Sequence, residues 1–246
     1  MSDPKDTSSD VEFNITAIYI GSIFEMSYPL ILIILWIIFL KGKKGQKFLC
    51  TLFGIIGFIL AIKVENFFQK AILGIFGKRS IIRYIILSLC PGLFEETARY
   101  IFLDILLSKG YLHKNISIGY GIGHGGIESI ILGLKLFGAS FEDKTDILED
   151  INLDNCLLSA VERFFAILIH ISLSILVYKS VTDKKKYYYY FLIAILVHNI
   201  VDLIPLLILL KIFVLRSYLV EIIIAAISIC ISLYAGFEYN KLDEEL

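Results

Sequence analysis

Glu95 and Glu96 stand side by side in the stretch CPGLFEETARYIFLD, with Arg99 just after them. In a helix Glu95 and Arg99 are spaced i,i+4 and Glu96 and Arg99 i,i+3, and both spacings allow an ion pair. One arginine can hold one of two adjacent carboxylates as an anion. The second carboxylate is then the one free to exchange a proton, as a general base must. A second stretch, GYGIGHGGIES, sets His124 and Glu128 on one helix face, and glycines at 119, 121, 123, 125 and 126 strip bulk from around the histidine. That lets another helix or a substrate backbone approach closely. A third, HNIVD, puts His198 and Asp202 on one face with Asn199 beside them, and ERFFAILIH adds Glu162, Arg163 and His170.

These residues are embedded in apolar runs. The chain has 246 residues, 57% of them hydrophobic, and a mean hydropathy of +0.78; soluble domains run nearer 45–50% apolar. The runs do not alternate with period two, so helices rather than strands satisfy the backbone in lipid. The expected fold is all-α, a polytopic bundle of seven to eight spans forming one transmembrane domain over 1–246. Its functional core is expected at about 80–210, with polar tails at 1–14 and 237–246. Spans are expected at 15–40, 48–62, 80–107, 116–138, 156–181, 187–210 and 218–236. Pro91-Gly92 should break or kink the third. The amphipathic piece 65–77 either lies in the interface or extends the second helix.

Charged groups at mid-bilayer are costly, so a span that keeps them needs a reason. Counting residues at ~1.5 Å each from the turn near 111–112 and from that near 182–183 brings Glu95, Glu96, His124, His170 and His198 to similar depth. One polar layer is therefore expected, with Glu95 level with Glu128 and Arg99 level with His124. Plainer readings apply to some of its neighbours. The glycine row serves helix packing on its own account, Glu162–Arg163 closes a helix contact, and Asp104 is solvated. Glu25 is either a structural partner or part of a polar path, and His170 alone either packs or assists.

Composition bounds the rest. A net charge of −1 argues against nucleic acid as a partner. The four cysteines (Cys50, Cys90, Cys156, Cys230) form no CxxC pair and read as buried, reduced and structural. The acidic, polar start lacks the pattern of a signal peptide. Placing the 41–47, 108–115 and 179–186 loops and the tail in the cytoplasm puts 11 Lys/Arg there and 8 outside. A polar cavity among the third to sixth helices, open to the cytoplasm, is expected to admit water.

Taken in order on successive helices, Glu95-Glu96-x-x-Arg99, Tyr120-x-x-x-His124-Gly-Gly-x-Glu128 and His198-x-x-x-Asp202 resemble the YhfC-like branch of bacterial membrane peptidases. They are similar more broadly to the glutamic-type intramembrane proteases of the CAAX-protease and bacteriocin-processing group. The likeness covers about 84–205 and implies an intramembrane protease of a bacterial cell membrane. Its partners would be the lipid bilayer and a membrane-protein or membrane-associated peptide substrate. It implies Glu95 as the base that activates water, Glu96 as its neighbour, and His124 as the group that orients water or moves a proton. His198 with Asp202 would stabilise the tetrahedral intermediate, while Arg99, Glu128, His170 and Asn199 support. The wider group spaces its arginine one residue further and often ends on His-xxx-Asn, so here Asp202 orients His198 or Asn199 takes the oxyanion. No cofactor is expected. Zinc held by His124, His198 and Glu95 is the alternative, and it lacks an HExxH motif. A transporter or proton relay would use the same cluster, but the paired broken helices of transporters are not evident.

Overall fold

The computed structural model describes residues 7–39, 42–75, 81–111, 113–141, 153–209 and 217–245. Among them are seven long helices and no strand. They are α1 (Thr7–Phe39), α2 (Lys44–Ile75), α3 (Ile81–Ser108), α4 (Asn115–Ala139), α5 (Leu153–Thr182), α6 (Lys184–Leu209) and α7 (Ser217–Glu245). Five of these, all but α3 and α4, are long and apolar enough to cross a membrane. The two exceptions carry the polar residues. α3 holds Arg83, Glu95, Glu96, Arg99 and Asp104, and the hydropathy of α4 is diluted by its glycines, His124, Glu128 and Lys135.

Several helices outrun their apolar runs. α2 continues through 65–75, so the amphipathic piece extends the second helix. α3 stays helical through Pro91: the proline removes one backbone donor, but the helix is not broken there. α7 continues to Glu245 and buries Glu238 and Leu242, so the expected polar tail is helical and packs at these two residues. The acidic loop at 142–152 lies outside the described residues.

α5 is the axis of the bundle. In its most apolar stretch 72% of residues are buried, against 17–39% in the other four apolar helices, whose outer faces are left for lipid. It packs against α4, α6 and α7, and also against α1 and α3. α3 packs on α2 and α6, and α4 on α1, α2 and α5, so α3 and α4 are adjoining in sequence but hardly touch. The turn between them is a Schellman closure: Tyr111 N–H donates to the Leu106 carbonyl at 3.1 Å and Gly110 N–H to that of Leu107 at 3.0 Å. Gly110 has φ +84°, a backbone state that glycine adopts without penalty.

The apolar core fills the half of the bundle near this turn, with Leu103, Leu106, Tyr120, Leu173, Leu176 and Tyr178 all buried. A buried ion pair crosses it, Lys179 Nζ to Glu238 Oε2 at 2.6 Å, and Tyr190 donates to the same oxygen at 2.8 Å. The cysteines are free. Cys50, Cys90 and Cys156 are buried, but Cys230 is exposed, so it does not share the packing role expected of all four.

Candidate active site

The two glutamates diverge because adjacent residues on a helix point about 100° apart. Glu96 and Arg99, three residues apart, form the ion pair; Glu95 is left to face elsewhere. Arg99 Nε donates to Glu96 Oε2 at 2.9 Å, and its Nη2 to Oε1 at 3.0 Å. Both side chains are wholly buried. The remaining guanidinium donors reach α5, binding the His170 carbonyl at 2.8 Å, the Ser174 hydroxyl, and His170 Nδ1 at 3.0 Å. Arg99 thus locks α3 to α5 and fixes a tautomer. Because it donates to Nδ1, the His170 proton sits on Nε2, and Nε2–H donates to Glu128 Oε2 at 2.6 Å. Glu128 Oε1 in turn accepts from Arg163 Nη1 at 2.9 Å, and Arg163 also pairs with Glu162.

Glu96 also orders the third histidine. As a carboxylate it accepts from His198 Nδ1 at 2.8 Å, which turns His198 Nε2 toward Glu95 Oε2 at 3.7 Å and Asp202 Oδ2 at 3.6 Å. Glu95 lies against His124, Oε2 to Nε2 at 2.8 Å. The His124 ring is 4.7 Å from that of His170, centre to centre, and the His170 ring is 5.4 Å from that of His198. Glu95, Glu96, His124, His170 and His198 therefore form one connected layer across α3, α4, α5 and α6.

The glycines of α4 make this proximity possible. A Cβ on Gly121 would stand 2.5 Å from the Ile171 Cα and 2.8 Å from the His170 carbonyl, and one on Gly125 would stand 2.9 Å from the His170 ring. No side chain fits where α4 meets α5. Gly123 plays the same part toward the Thr51 backbone of α2.

Within the layer, Glu95, His124 and His170 offer ligand atoms that all lie within 4.8 Å of one another. One carboxylate and two imidazoles are a donor set that zinc takes, with a position left for water. His124 Nδ1 is buried and has no hydrogen-bond partner. The residues fit a divalent metal that takes the place of the His170 Nε2 proton, and with it of the bond from Nε2 to Glu128. The converging trio contains His170, where the sequence pointed to His198; His198 is instead tied to Glu96.

Glu95 meets His124 and lines one cavity together with Glu128, although α3 and α4 hardly pack on each other. Asn199 stands apart from the cluster. Its Oδ1 is buried without a hydrogen-bond partner and lies where a Cβ on Gly92 would be, in the α3–α6 contact. Arg163 belongs to the site more closely than a helix contact requires. The signal for it was in the sequence: Arg163 lies two turns from His170, as Glu128 lies one turn from His124.

Two cavities reach the layer, and both are lined by residues on the side of it away from the Gly110 turn, such as Glu65, Glu128, Arg163 and Asp202. One, of about 260 Å³, is lined by Phe58, Glu65, Asn66, Pro91, Glu95, Glu128 and Lys135, among others. The other, of about 60 Å³, is lined by Glu128, Glu162, Arg163, His170, His198 and Asp202, among others. The other side of the layer is filled by the apolar core.

A family model described as YhfC intramembrane metalloprotease matches residues 28–138 and 140–224. No curated protein and no solved structure matches the chain. The match takes in five of the seven helices, α2 to α6, in full or nearly so, together with every residue of the polar layer, and on that ground the chain belongs to the YhfC intramembrane metalloprotease family.

Proposed function

We propose that this protein hydrolyses peptide bonds of membrane or membrane-associated substrates at the layer formed by Glu95, His124, His170 and His198. α3 and α4 are read as further spans: 28 and 25 residues give ~42 and ~38 Å of helix, enough for a ~30 Å hydrocarbon core. The observation that carries the proposal is the convergence of one carboxylate and two imidazoles within 4.8 Å in a buried layer that polar cavities reach. A proton relay needs no such trio. The family description supports a metal, so the metal-dependent reading is placed ahead of the metal-free one expected from the sequence.

Glu95, His124 and His170 would hold the ion. A zinc-like ion bound there supplies Lewis acidity, polarising a carbonyl and making water a nucleophile near neutral pH. The chain's own residues do the rest. His198, held by the Glu96 carboxylate behind Nδ1, presents Nε2 beside Glu95, and as an imidazolium, protonated on both nitrogens, it donates from Nε2 to a developing oxyanion. Asp202 orients that nitrogen from the other side. Glu128, braced by Arg163 and His170, lines both cavities and can accept a proton from incoming water. Arg99 is not among the residues lining either cavity; it holds Glu96 and His170 in place.

Without a metal, the same geometry supports a second reading: Glu95, 2.8 Å from His124, takes the proton from water itself. Elemental analysis of the purified protein separates the two. About one equivalent of bound metal, lost in Glu95→Gln and His124→Ala, is expected. Metal-free protein that still cleaves a membrane-tethered peptide would establish the second reading.

A further inference from the structure

Glu65 is a buried carboxylate that the hydrolytic layer does not use. It is 8% exposed and is the sole acid in α2. Burying a carboxylate is costly unless it is paired, yet among the described residues its one side-chain hydrogen bond comes from Gln69 Nε2, at 2.6 Å. Among the described residues no lysine or arginine lies within ion-pair distance of it. Its side chain lines the larger cavity beside Asn66, on the wall facing Glu95. Lys135 lines the same cavity but is exposed. A glutamine at 65 would keep the contact with Gln69 without the charge, so packing gives no reason for the acid.

We propose that Glu65 is a specificity determinant: it receives a cationic side chain, lysine or arginine, of a peptide lying in the larger cavity. This rests on the hydrolytic reading for the position of the scissile bond. Glu65 is ten residues before the end of α2 at Ile75, and Glu95 is fourteen residues after the start of α3 at Ile81. At 1.5 Å per residue the two differ in depth by ~6 Å. An extended chain covers that in about two residues. The cation therefore sits about two positions from the cleaved bond, on the side toward the cavity mouth. An acid at that position meets Glu65, Glu95 and Glu128 together and is rejected.

The test uses the full chain in detergent with the Glu95→Gln substitution, so that binding is read without turnover. The probes are fluorescent twenty-residue leucine–alanine peptides carrying a single Lys, Gln or Glu guest, scanned along the sequence. Anisotropy should show the Lys guest binding about tenfold tighter than Gln at one position, a difference of about 1.4 kcal/mol, and Glu weaker than Gln. Adding Glu65→Gln should abolish the preference, Glu65→Asp should keep it, and Glu65→Lys should turn it toward the Glu guest. Equal affinities for the three guests, no binding of any of them, or a Lys preference undiminished by Glu65→Gln would overturn the proposal. The Lys-to-Gln ratio on the Glu95→Gln protein alone already decides, so a misfolded second variant does not shield it. A Lys preference in the Glu95→Gln protein together with no cleavage of these peptides by the wild type would leave Glu65 as the cation subsite and remove the hydrolytic reading.

Discussion

Replacing Arg99 with leucine removes a wholly buried guanidinium whose Nε, Nη1 and Nη2 are all in use. Two of its bonds go to Glu96, at 2.9 and 3.0 Å, and the others reach the His170 carbonyl, His170 Nδ1 and the Ser174 hydroxyl. The losses are unequal. Ser174 keeps its bond to the His170 carbonyl at 2.7 Å, so neither of those groups is stranded. Glu96 is different: its Oε2 has no other hydrogen bond among the described residues, and its Oε1 keeps only His198. Breaking a buried pair by removing one partner costs about 3–5 kcal/mol, because the other charge is left without compensation, whereas replacing both with apolar groups is often close to neutral. Arg99→Leu should therefore lower unfolding free energy by about 3–5 kcal/mol, as should Glu96→Leu. The double variant should recover about 2–3 kcal/mol relative to the sum of the singles, the size of coupling seen for contacting residues. Reversible unfolding by SDS titration, followed by far-UV circular dichroism in mixed micelles, measures all four proteins. Arg99→Leu within about 0.5 kcal/mol of wild type, or a double variant whose loss equals the sum, would refute this account of the α3–α5 lock.

Three further outcomes are expected. Gly121→Ala should destabilise by about 1–3 kcal/mol through overpacking, because its Cβ meets the Ile171 backbone at 2.5 Å; Gly126→Ala, whose nearest neighbour is Ile33 Cδ1 at 3.5 Å, should leave the unfolding midpoint unchanged. Lys179→Met removes one of two cations on Glu238, which keeps Lys241 at 3.1 Å and Tyr190 at 2.8 Å; it should cost about 1–3 kcal/mol, a loss that the same SDS titration reads and that Lys179→Met/Glu238→Gln should reduce. A cysteine introduced for Leu132, on the wall of the larger cavity, should react with a membrane-impermeant thiol reagent from the face where α2 ends, and not from the face of the Gly110 turn.

The sequence carried the local part of the site and little of what joins it. Glu96–Arg99, His124–Glu128 on one face and His198–Asp202 were visible because helical spacing alone determines them. That the arginine pairs with Glu96 and not Glu95 depends on α5, which supplies the other acceptors. The meeting of Glu95 with His124, and of Glu128 with His170 and Arg163, depends on how closely α4 approaches α5. The glycine row hinted at that approach without naming its partner. Helix existence was legible from hydropathy, but helix ends were not: α7 runs on through Glu238 and Leu242, which are buried, and α2 runs on through Glu65-Asn66-Phe67 although most of that stretch is exposed. The direction in which the cavities open was not legible, since it is decided by the core residues, such as Leu173 and Tyr178, that fill the other half of the bundle.

The most direct test of the central claim is cleavage of a membrane-tethered peptide by the purified protein, read by mass spectrometry of the products in ¹⁸O-water. Wild type should yield a product carrying one ¹⁸O in its new carboxylate, and Glu95→Gln and His124→Ala should yield none while remaining folded. Cleavage that persists in Glu95→Gln would contradict the assignment of hydrolysis to this layer.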